Sequence, residues 1–225
     1  MDQEHDDATR RPLKSRNLFV FQSIASWMAK CGISPNAISV SSMVFGLAAG
    51  GALWATGNFE SGPVRLWWLA GAVFIQLRLL ANMLDGMVAI ESGKKSPIGE
   101  LFNEAPDRVS DAAILVGAGF AVSSAPWLGW LGAIMALLVA YLRALGVASG
   151  AGQAFEGPMA KPQRMFALTL VCLYFATTPT SWHWIHEPTG LGVMAIVLAV
   201  IIVGCLVTLF RRWLRITRDL KNRTS

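Results

Sequence analysis

Two short runs of acidic and amide side chains recur at helical spacing in an otherwise apolar chain. Residues three to four positions apart lie on one face of an α-helix, so each run forms a polar stripe. The first stripe contains Asn82 and Asp85, and the second contains Asn103, Asp107 and Asp111. Hard cations such as Mg2+ and Mn2+ prefer oxygen ligands of this kind. The two stripes could therefore supply oxygen ligands to such a cation from two helices.

The segment between the two stripes, residues 91–98, contains Gly93 and Pro97 and predicts a turn. Helices joined in this way are antiparallel, and their polar stripes meet near the turn. An alternative is that Asp107 and Asp111 simply face water at a helix end. Acidic residues within membrane-spanning helices are costly and usually functional, so the complete pattern favours a functional site.

The composition predicts an all-α, polytopic membrane protein. Of the 225 residues, 54% are hydrophobic and only 15% are charged, and one soluble core of this size cannot bury so much apolar surface. The net charge of +5 arises from basic residues that flank apolar segments, which indicates contact with anionic lipid headgroups and not with nucleic acid. The cysteines Cys31, Cys172 and Cys205 lack CxxC spacing, and we interpret them as packing residues.

Six segments are long and apolar enough to span a bilayer. They are residues 37–57, 64–90, 99–123, 126–148, 164–180 and 190–211. With six spans, the clusters of lysine and arginine all fall on one side of the membrane, which is the cytoplasmic side by the positive-inside rule. This count places both termini and the polar turn in the cytoplasm.

The predicted organisation has four parts: a disordered tail over residues 1–12, an interfacial amphipathic helix over 13–32, a six-helix transmembrane domain over 33–213 and a basic cytoplasmic tail over 214–225. Ser34 and Pro35 suit the cap and the first turn of the first span.

A loop on the opposite side contains His183 and His186 beside Glu187, a set that could be drawn as a metal site. Its tryptophans are typical of an interfacial aromatic belt, and we prefer that interpretation.

The full motif resembles that of the CDP-alcohol phosphotransferase (CDP-alcohol phosphatidyltransferase) family. The family pattern is Asp-x2-Asp-Gly-x2-Ala-Arg, about eight residues, then Gly-x3-Asp-x3-Asp. This chain has Asn82-x2-Asp85-Gly86-x2-Ala89-Ile90, eight residues, then Gly99-x3-Asn103-x3-Asp107. All spacings agree, but asparagines replace the first and third aspartates, and isoleucine replaces the arginine. A Tyr-Leu-Arg-Ala segment at 141–144 and the basic residues near 161–164 also look like family features.

The resemblance implies a role for each matching residue. Metal ligands would be Asp85, Asp107, Asn82 and Asn103. Catalytic residues would be Asp107, as the base that deprotonates the acceptor, and Asp85. Residues close to the nucleotide would be Gly86, Ala89 and Gly99. Cations for substrate phosphates would be Arg143, Lys161 and Arg164. Acids able to compensate for the two missing charges would be Glu104 and Asp111.

The resemblance further implies a transferase of phospholipid biosynthesis in a bacterial inner membrane. Such an enzyme moves a phosphatidyl-type group from a CDP-alcohol, here CDP-diacylglycerol, to a small alcohol and releases CMP. It uses Mg2+ or Mn2+, and family members are commonly homodimers. Because two carboxylates are missing, we expect weaker binding of divalent ions, and the sequence leaves open whether one ion or two are held.

Two alternatives stay open at the level of sequence. One is an impaired relative that binds nucleotide or lipid without transferring a group, as the asparagines and Ile90 make credible. The other is a small transporter that uses Asp85, Asp107 and Arg78 as an ion relay, although the sequence has no broken helices or repeats of the kind expected there.

Overall fold

The computed structural model describes residues 19–59, 63–93 and 99–223. The described chain forms seven α-helices, a short 3-10 turn at Thr180–Trp182 and a two-stranded antiparallel hairpin. The helices are α1 (Phe19–Lys30), α2 (Pro35–Asn58), α3 (Val64–Glu91), α4 (Gly99–Gly119), α5 (Pro126–Ala148), α6 (Lys161–Thr177) and α7 (Val193–Arg223), and the hairpin strands are β1 (Ile185–His186) and β2 (Leu191–Gly192). The all-α prediction is confirmed.

Each of the six predicted spans coincides with one of the helices α2 to α7. Among the described residues, four helices are long and apolar enough to cross a membrane: α2, α3, α5 and α7. Helix α4 differs because it carries the acidic stripe, and α6 differs because it has only 17 residues. The number of spans therefore stays a prediction.

Several segments of the predicted organisation fall at the ends of the described residues or outside them. The predicted tail at 1–12, the first residues of the predicted interfacial helix and the turn at 94–98 lie outside the described residues. Helix α1 covers the remainder of the interfacial segment and packs on α3, with Ala25 buried and Phe19 exposed. At the other end, α7 continues through positions 214–223, which were predicted as a tail.

Local sequence explains where α2 begins. Ser34 Oγ accepts a hydrogen bond from the Ala37 backbone N–H at 3.1 Å, and Pro35 occupies the first turn, where its missing N–H costs nothing. The predicted cap is confirmed.

Helix α2 is the central element of the bundle because it packs along both α3 and α4. Glycines permit the close approach of α2 and α4. A Cβ atom on Gly50 would lie 2.4 Å from the Ala113 backbone oxygen, and a Cβ on Gly117 would lie 2.2 Å from the Gly50 oxygen. Small residues allow helix backbones to approach in this way within membranes. By contrast, α3 and α4 contact each other little directly, and the polar stripes lie between them.

The glycine contact predicts opposite effects for two neighbouring substitutions. Gly50→Ala should lower the free energy of unfolding by about 1–3 kcal/mol, because the added methyl group meets the backbone of α4. Gly51→Ala, with no atom within 4 Å of the added carbon, should be neutral or stabilising by up to about 1 kcal/mol. Unfolding in mixed detergent would measure both variants, and equal stability of the two would contradict this packing.

Candidate active site

The two polar stripes meet, as their spacing predicts. The Asn82 side chain on α3 donates from Nδ2 to Asn103 Oδ1 at 3.0 Å and to Asp107 Oδ1 at 2.9 Å, both on α4. These bonds join the second half of α3 to the first half of α4. Three of the four predicted metal ligands are thus in one hydrogen-bonded cluster.

Lys161, the first residue of α6, enters the same cluster. Its Nζ donates to Asn82 Oδ1 at 2.6 Å and also contacts Asp107 Oδ2. The Lys161 side chain is 21% exposed, and that of Asp107 is 7% exposed. An ammonium group therefore lies directly against the oxygens that the motif assigns to a metal ion.

A second layer of ion pairs lies beside this cluster and is buried. Arg78 on α3 donates from Nη2 to Asp107 Oδ1 at 3.0 Å and to Asp111 Oδ1 at 2.7 Å. Arg164 on α6 donates to the other oxygen of Asp111 at 2.8 Å. All four side chains are buried. Because a buried charge is costly unless paired, this chain of alternating charges fixes α3, α4 and α6 to one another.

Asp85, one turn beyond Asn82, has one satisfied oxygen and one unsatisfied oxygen. Its Oδ2 accepts a hydrogen bond from Ser39 Oγ on α2 at 2.6 Å. Its Oδ1 is buried and has no partner among the described groups. Asp107 and Lys161 are both close enough to act electrostatically on Asp85. A buried carboxylate oxygen without a donor is the kind of atom that binds a cation.

The two acids proposed as compensators are both held by arginines. Glu104 accepts hydrogen bonds from Arg108 at 2.8 Å and from Arg143 on α5. Asp111 lies between Arg78 and Arg164, as described above. Both carboxylates therefore have basic partners in the described chain and orient arginines.

The three positions assigned to the nucleotide lie at the facing ends of the motif helices. Gly86 and Ala89 are half-buried near the end of α3, and Gly99 is half-buried at the start of α4. Ile90, which stands where the family motif has arginine, is 56% exposed. Their contact with a nucleotide stays a prediction.

Most oxygen donors of the cluster already accept hydrogen bonds or ion pairs. Within residues 19–59, 63–93 and 99–223, no group of three or more His, Cys, Asp or Glu side chains could hold a metal. The unpartnered Asp85 Oδ1, together with an oxygen of Asp107 and of Asn103, would supply the carboxylate and carbonyl donor types that a hard cation prefers.

The histidine loop has a local explanation. His183 hydrogen-bonds Thr178 Oγ1 at 3.0 Å, and His186 hydrogen-bonds Thr189 Oγ1 at 2.9 Å. Partial burial lowers the pKa of His183, which favours its neutral ring. The two histidines hydrogen-bond different threonines, which agrees with the interpretation of this loop as part of an interfacial aromatic belt and not as a metal site.

Sequence reasoning missed two contributors to this site. Spacing does not link Ser39 to the site, because its partner Asp85 is 46 positions away. Arg78 enters the sequence analysis only in the alternative ion relay, and spacing does not indicate that it pairs with both Asp107 and Asp111. The available signal was a charge in the middle of an apolar span, which requires a partner inside the bundle.

This geometry defines a class of protein: a helical membrane protein with an oxygen-donor cluster between two antiparallel helices. A sequence model described as CDP-alcohol phosphatidyltransferase matches residues 32–210. The chain therefore belongs to the CDP-alcohol phosphatidyltransferase family, whose members are phosphotransferase enzymes of phospholipid synthesis.

Individual relatives agree with this assignment. The chain is 26% identical to the inner membrane protein YnbA of Escherichia coli (strain K12), over 73% of this chain and 81% of YnbA. It is also 26% identical to the phosphatidylinositol phosphate synthase of Streptomyces avermitilis, over 89% of this chain and 79% of that protein.

Solved structures share the fold. The phosphatidylinositol phosphate synthase PgsA1 of Mycobacterium tuberculosis, in complex with manganese and citrate, superposes with a TM-score of 0.69 at 19% identity, covering 87% of this chain and 88% of PgsA1. The form with CDP-DAG bound gives 0.67 at 18% identity, covering 88% and 94%.

The buried ion pairs predict a large loss of stability when one partner is removed. Arg78→Met should lower the free energy of unfolding by about 3–5 kcal/mol, because Asp107 and Asp111 lose a buried counter-charge. The control Arg215→Gln removes exposed ion pairs with Asp219 and Glu156 and should leave the free energy of unfolding nearly unchanged.

Unfolding measured by intrinsic tryptophan fluorescence would compare the two arginine variants. In a double-mutant cycle, adding Asp111→Asn to Arg78→Met should restore part of the lost free energy of unfolding. An Arg78 variant as stable as the Arg215 control would contradict the network.

Proposed function

We propose that this protein transfers a phosphatidyl group from CDP-diacylglycerol to a small alcohol and releases CMP. The observation that carries this proposal is the meeting of Asn82, Asn103 and Asp107 between two antiparallel helices, beside an unsatisfied oxygen of Asp85. Family membership supports the reaction class, and a structural relative with CDP-DAG bound supports the choice of donor.

The reaction forms one P–O bond and breaks another. The acceptor hydroxyl attacks the phosphorus that carries the diacylglycerol, the pyrophosphate bond breaks, and CMP leaves. Asp107 takes the hydroxyl proton. Its Oδ1 accepts hydrogen bonds from both Arg78 and Asn82, whereas Oδ2 contacts only Lys161 among the described side chains, so we assign the proton to Oδ2.

Enzymes of this family use divalent metal ions, and PgsA1 has been solved with manganese. When bound, such an ion neutralises charge on the diphosphate oxygens. In this chain Asp85 Oδ1, Asp107 and the Asn103 oxygen would hold it, while Ser39 orients Asp85 through the hydrogen bond to Oδ2.

The basic residues near the cluster divide into two groups. Arg143 and Lys161 are partly exposed, and we assign them to phosphate groups of the substrates. Arg164 is buried against Asp111, so its contribution to phosphate binding is indirect, through the position of α6. Gly86, Ala89 and Gly99 lie where the nucleotide would approach the backbone.

Six spans with both termini and the active site in the cytoplasm complete the proposal. Four apolar helices, the one-sided distribution of basic residues and an inner membrane relative support this topology. Helix α1 would lie in the interface, with its exposed apolar side chains in lipid.

Cysteine labelling tests the topology in a cysteine-free background. A membrane-impermeant maleimide should label Thr189→Cys in intact spheroplasts, and it should label Asn222→Cys only after the membrane is permeabilised. Labelling of both positions from the same side would contradict six spans.

Mutation of the two acids tests the reaction. With purified protein, Mn2+ and CDP-diacylglycerol, CMP release should be measured against glycerol phosphate, inositol phosphate and serine as acceptors. Asp85→Ala and Asp107→Ala should each lower the rate by about a hundredfold or more, because one loses an ion ligand and the other the base. The control Asp219→Asn alters an α7 acid outside the cluster and should retain full activity.

Two outcomes would contradict the proposal. Activity that survives both alanine substitutions would exclude these acids from the reaction. Binding of CDP-diacylglycerol without CMP release to any acceptor would indicate the binding protein and not the transferase.

A further inference from the structure

The neighbours of Asn82 determine which way its amide group is oriented, with Oδ1 on one side and Nδ2 on the other. Lys161 Nζ can only donate, so it must face Asn82 Oδ1, and it does so at 2.6 Å. The Asp107 carboxylate can only accept, so it must face Asn82 Nδ2, and the two lie 2.9 Å apart. An aspartate at position 82 has no N–H group and could not make the second bond. Asparagine therefore fits a position between an ammonium group and a carboxylate.

The same atoms leave little room for a pair of metal ions. Lys161 already contacts one oxygen of Asn82 and one of Asp107, while Arg78 and Asn82 bind the other oxygen of Asp107. Among the carboxylate and amide oxygens of this cluster in the described chain, the buried Oδ1 of Asp85 has no hydrogen-bond partner; the unsatisfied nitrogens there, such as Arg78 Nε and Nη1, are donors and cannot bind a cation. One vacant carboxylate oxygen suits one cation.

Charge balance leads to the same result. The buried cluster is neutral before any ion binds, because Asp85, Asp107 and Asp111 carry three negative charges and Arg78, Lys161 and Arg164 carry three positive charges. One divalent ion would add two positive charges, and a second ion would raise the excess to four. Such an excess is strongly unfavourable at separations of a few ångströms.

From this geometry we infer that the Lys161 ammonium is a built-in cation that takes the place of a second divalent ion, so the site binds one ion per chain. Asn82 is the residue that couples Lys161 to Asp107, and Asn103 completes the set by accepting from Asn82. This inference rests on the proposed function, because the ion counted is the one that group transfer would use.

Paramagnetic Mn2+ allows the ions to be counted without turnover. Mn2+ titrated into the purified full-length protein should reach one ion per chain and give the six-line spectrum of an isolated ion. Two ions in a shared site lie roughly 3.5–4 Å apart and would give a spin-coupled spectrum.

Variants of Lys161 test the assignment directly. Lys161→Gln removes the competing charge and should tighten Mn2+ binding about tenfold, whereas Lys161→Arg keeps the charge and should bind Mn2+ as the natural protein does. Lys30→Gln, at the exposed end of α1, makes the same change in net charge and should leave affinity and stoichiometry unchanged.

The triple variant Asn82→Asp, Asn103→Asp, Lys161→Gln should bind two spin-coupled ions per chain. Thermal unfolding in detergent confirms that each variant is folded, and the Lys161→Gln titration decides the matter if the triple variant does not fold.

The results that overturn the inference are distinct from those that overturn the transferase. Two coupled ions or none in the natural protein, or an unchanged Mn2+ affinity in Lys161→Gln, would exclude Lys161 as the second cation. One ion per chain without CMP release to any acceptor would contradict the transferase and would leave the Lys161 assignment in place.

Discussion

Pairing of buried charge is the constraint on which this structure depends. Asp107 and Asp111 lie inside a helical bundle, where an unpaired carboxylate is costly. Three basic residues, Arg78, Lys161 and Arg164, supply the counter-charges from two other helices. Each ion pair therefore also fixes the position of α3 or α6 relative to α4. The site and the bundle are held by the same contacts.

Different helix pairs of the bundle are held by different interactions, some by close backbone packing and others by polar contacts. Helix α2 contacts α4 closely because glycines such as Gly50 and Gly117 remove the side chains between their backbones. The motif helices α3 and α4 touch each other little and are joined chiefly through Asn82, Asn103 and Asp107. The contacts that join α3 to α4 are therefore mainly polar.

The sequence was sufficient for the helices and for part of the site. Hydropathy predicted the positions of all six helices of the core. The four-residue spacing predicted that Asn82 and Asp107 would lie in the same polar cluster. Contacts over long separations were not predictable, because spacing within one segment does not identify a partner in another. The contact of Lys161 with Asp107, 54 positions away, is of this kind, and the assignment of Lys161 to substrate phosphate did not include it.

The asparagine substitutions acquire a physical meaning in this context. Read alone, Asn82 and Asn103 are two lost charges. In the structure Asn82 both donates and accepts, and it links the acid on α4 to the lysine on α6. Asn82 thus bridges an acid and a base, a role that aspartate could not fill because its side chain has no N–H group.

The most direct measurement is a crystal structure of the protein soaked with Mn2+, with anomalous scattering used to locate the ion. Our account predicts one anomalous peak between Asp85 and Asp107, with the Lys161 ammonium still on Asp107. Two peaks between α3 and α4, or a Lys161 side chain turned away from both Asn82 and Asp107, would contradict it.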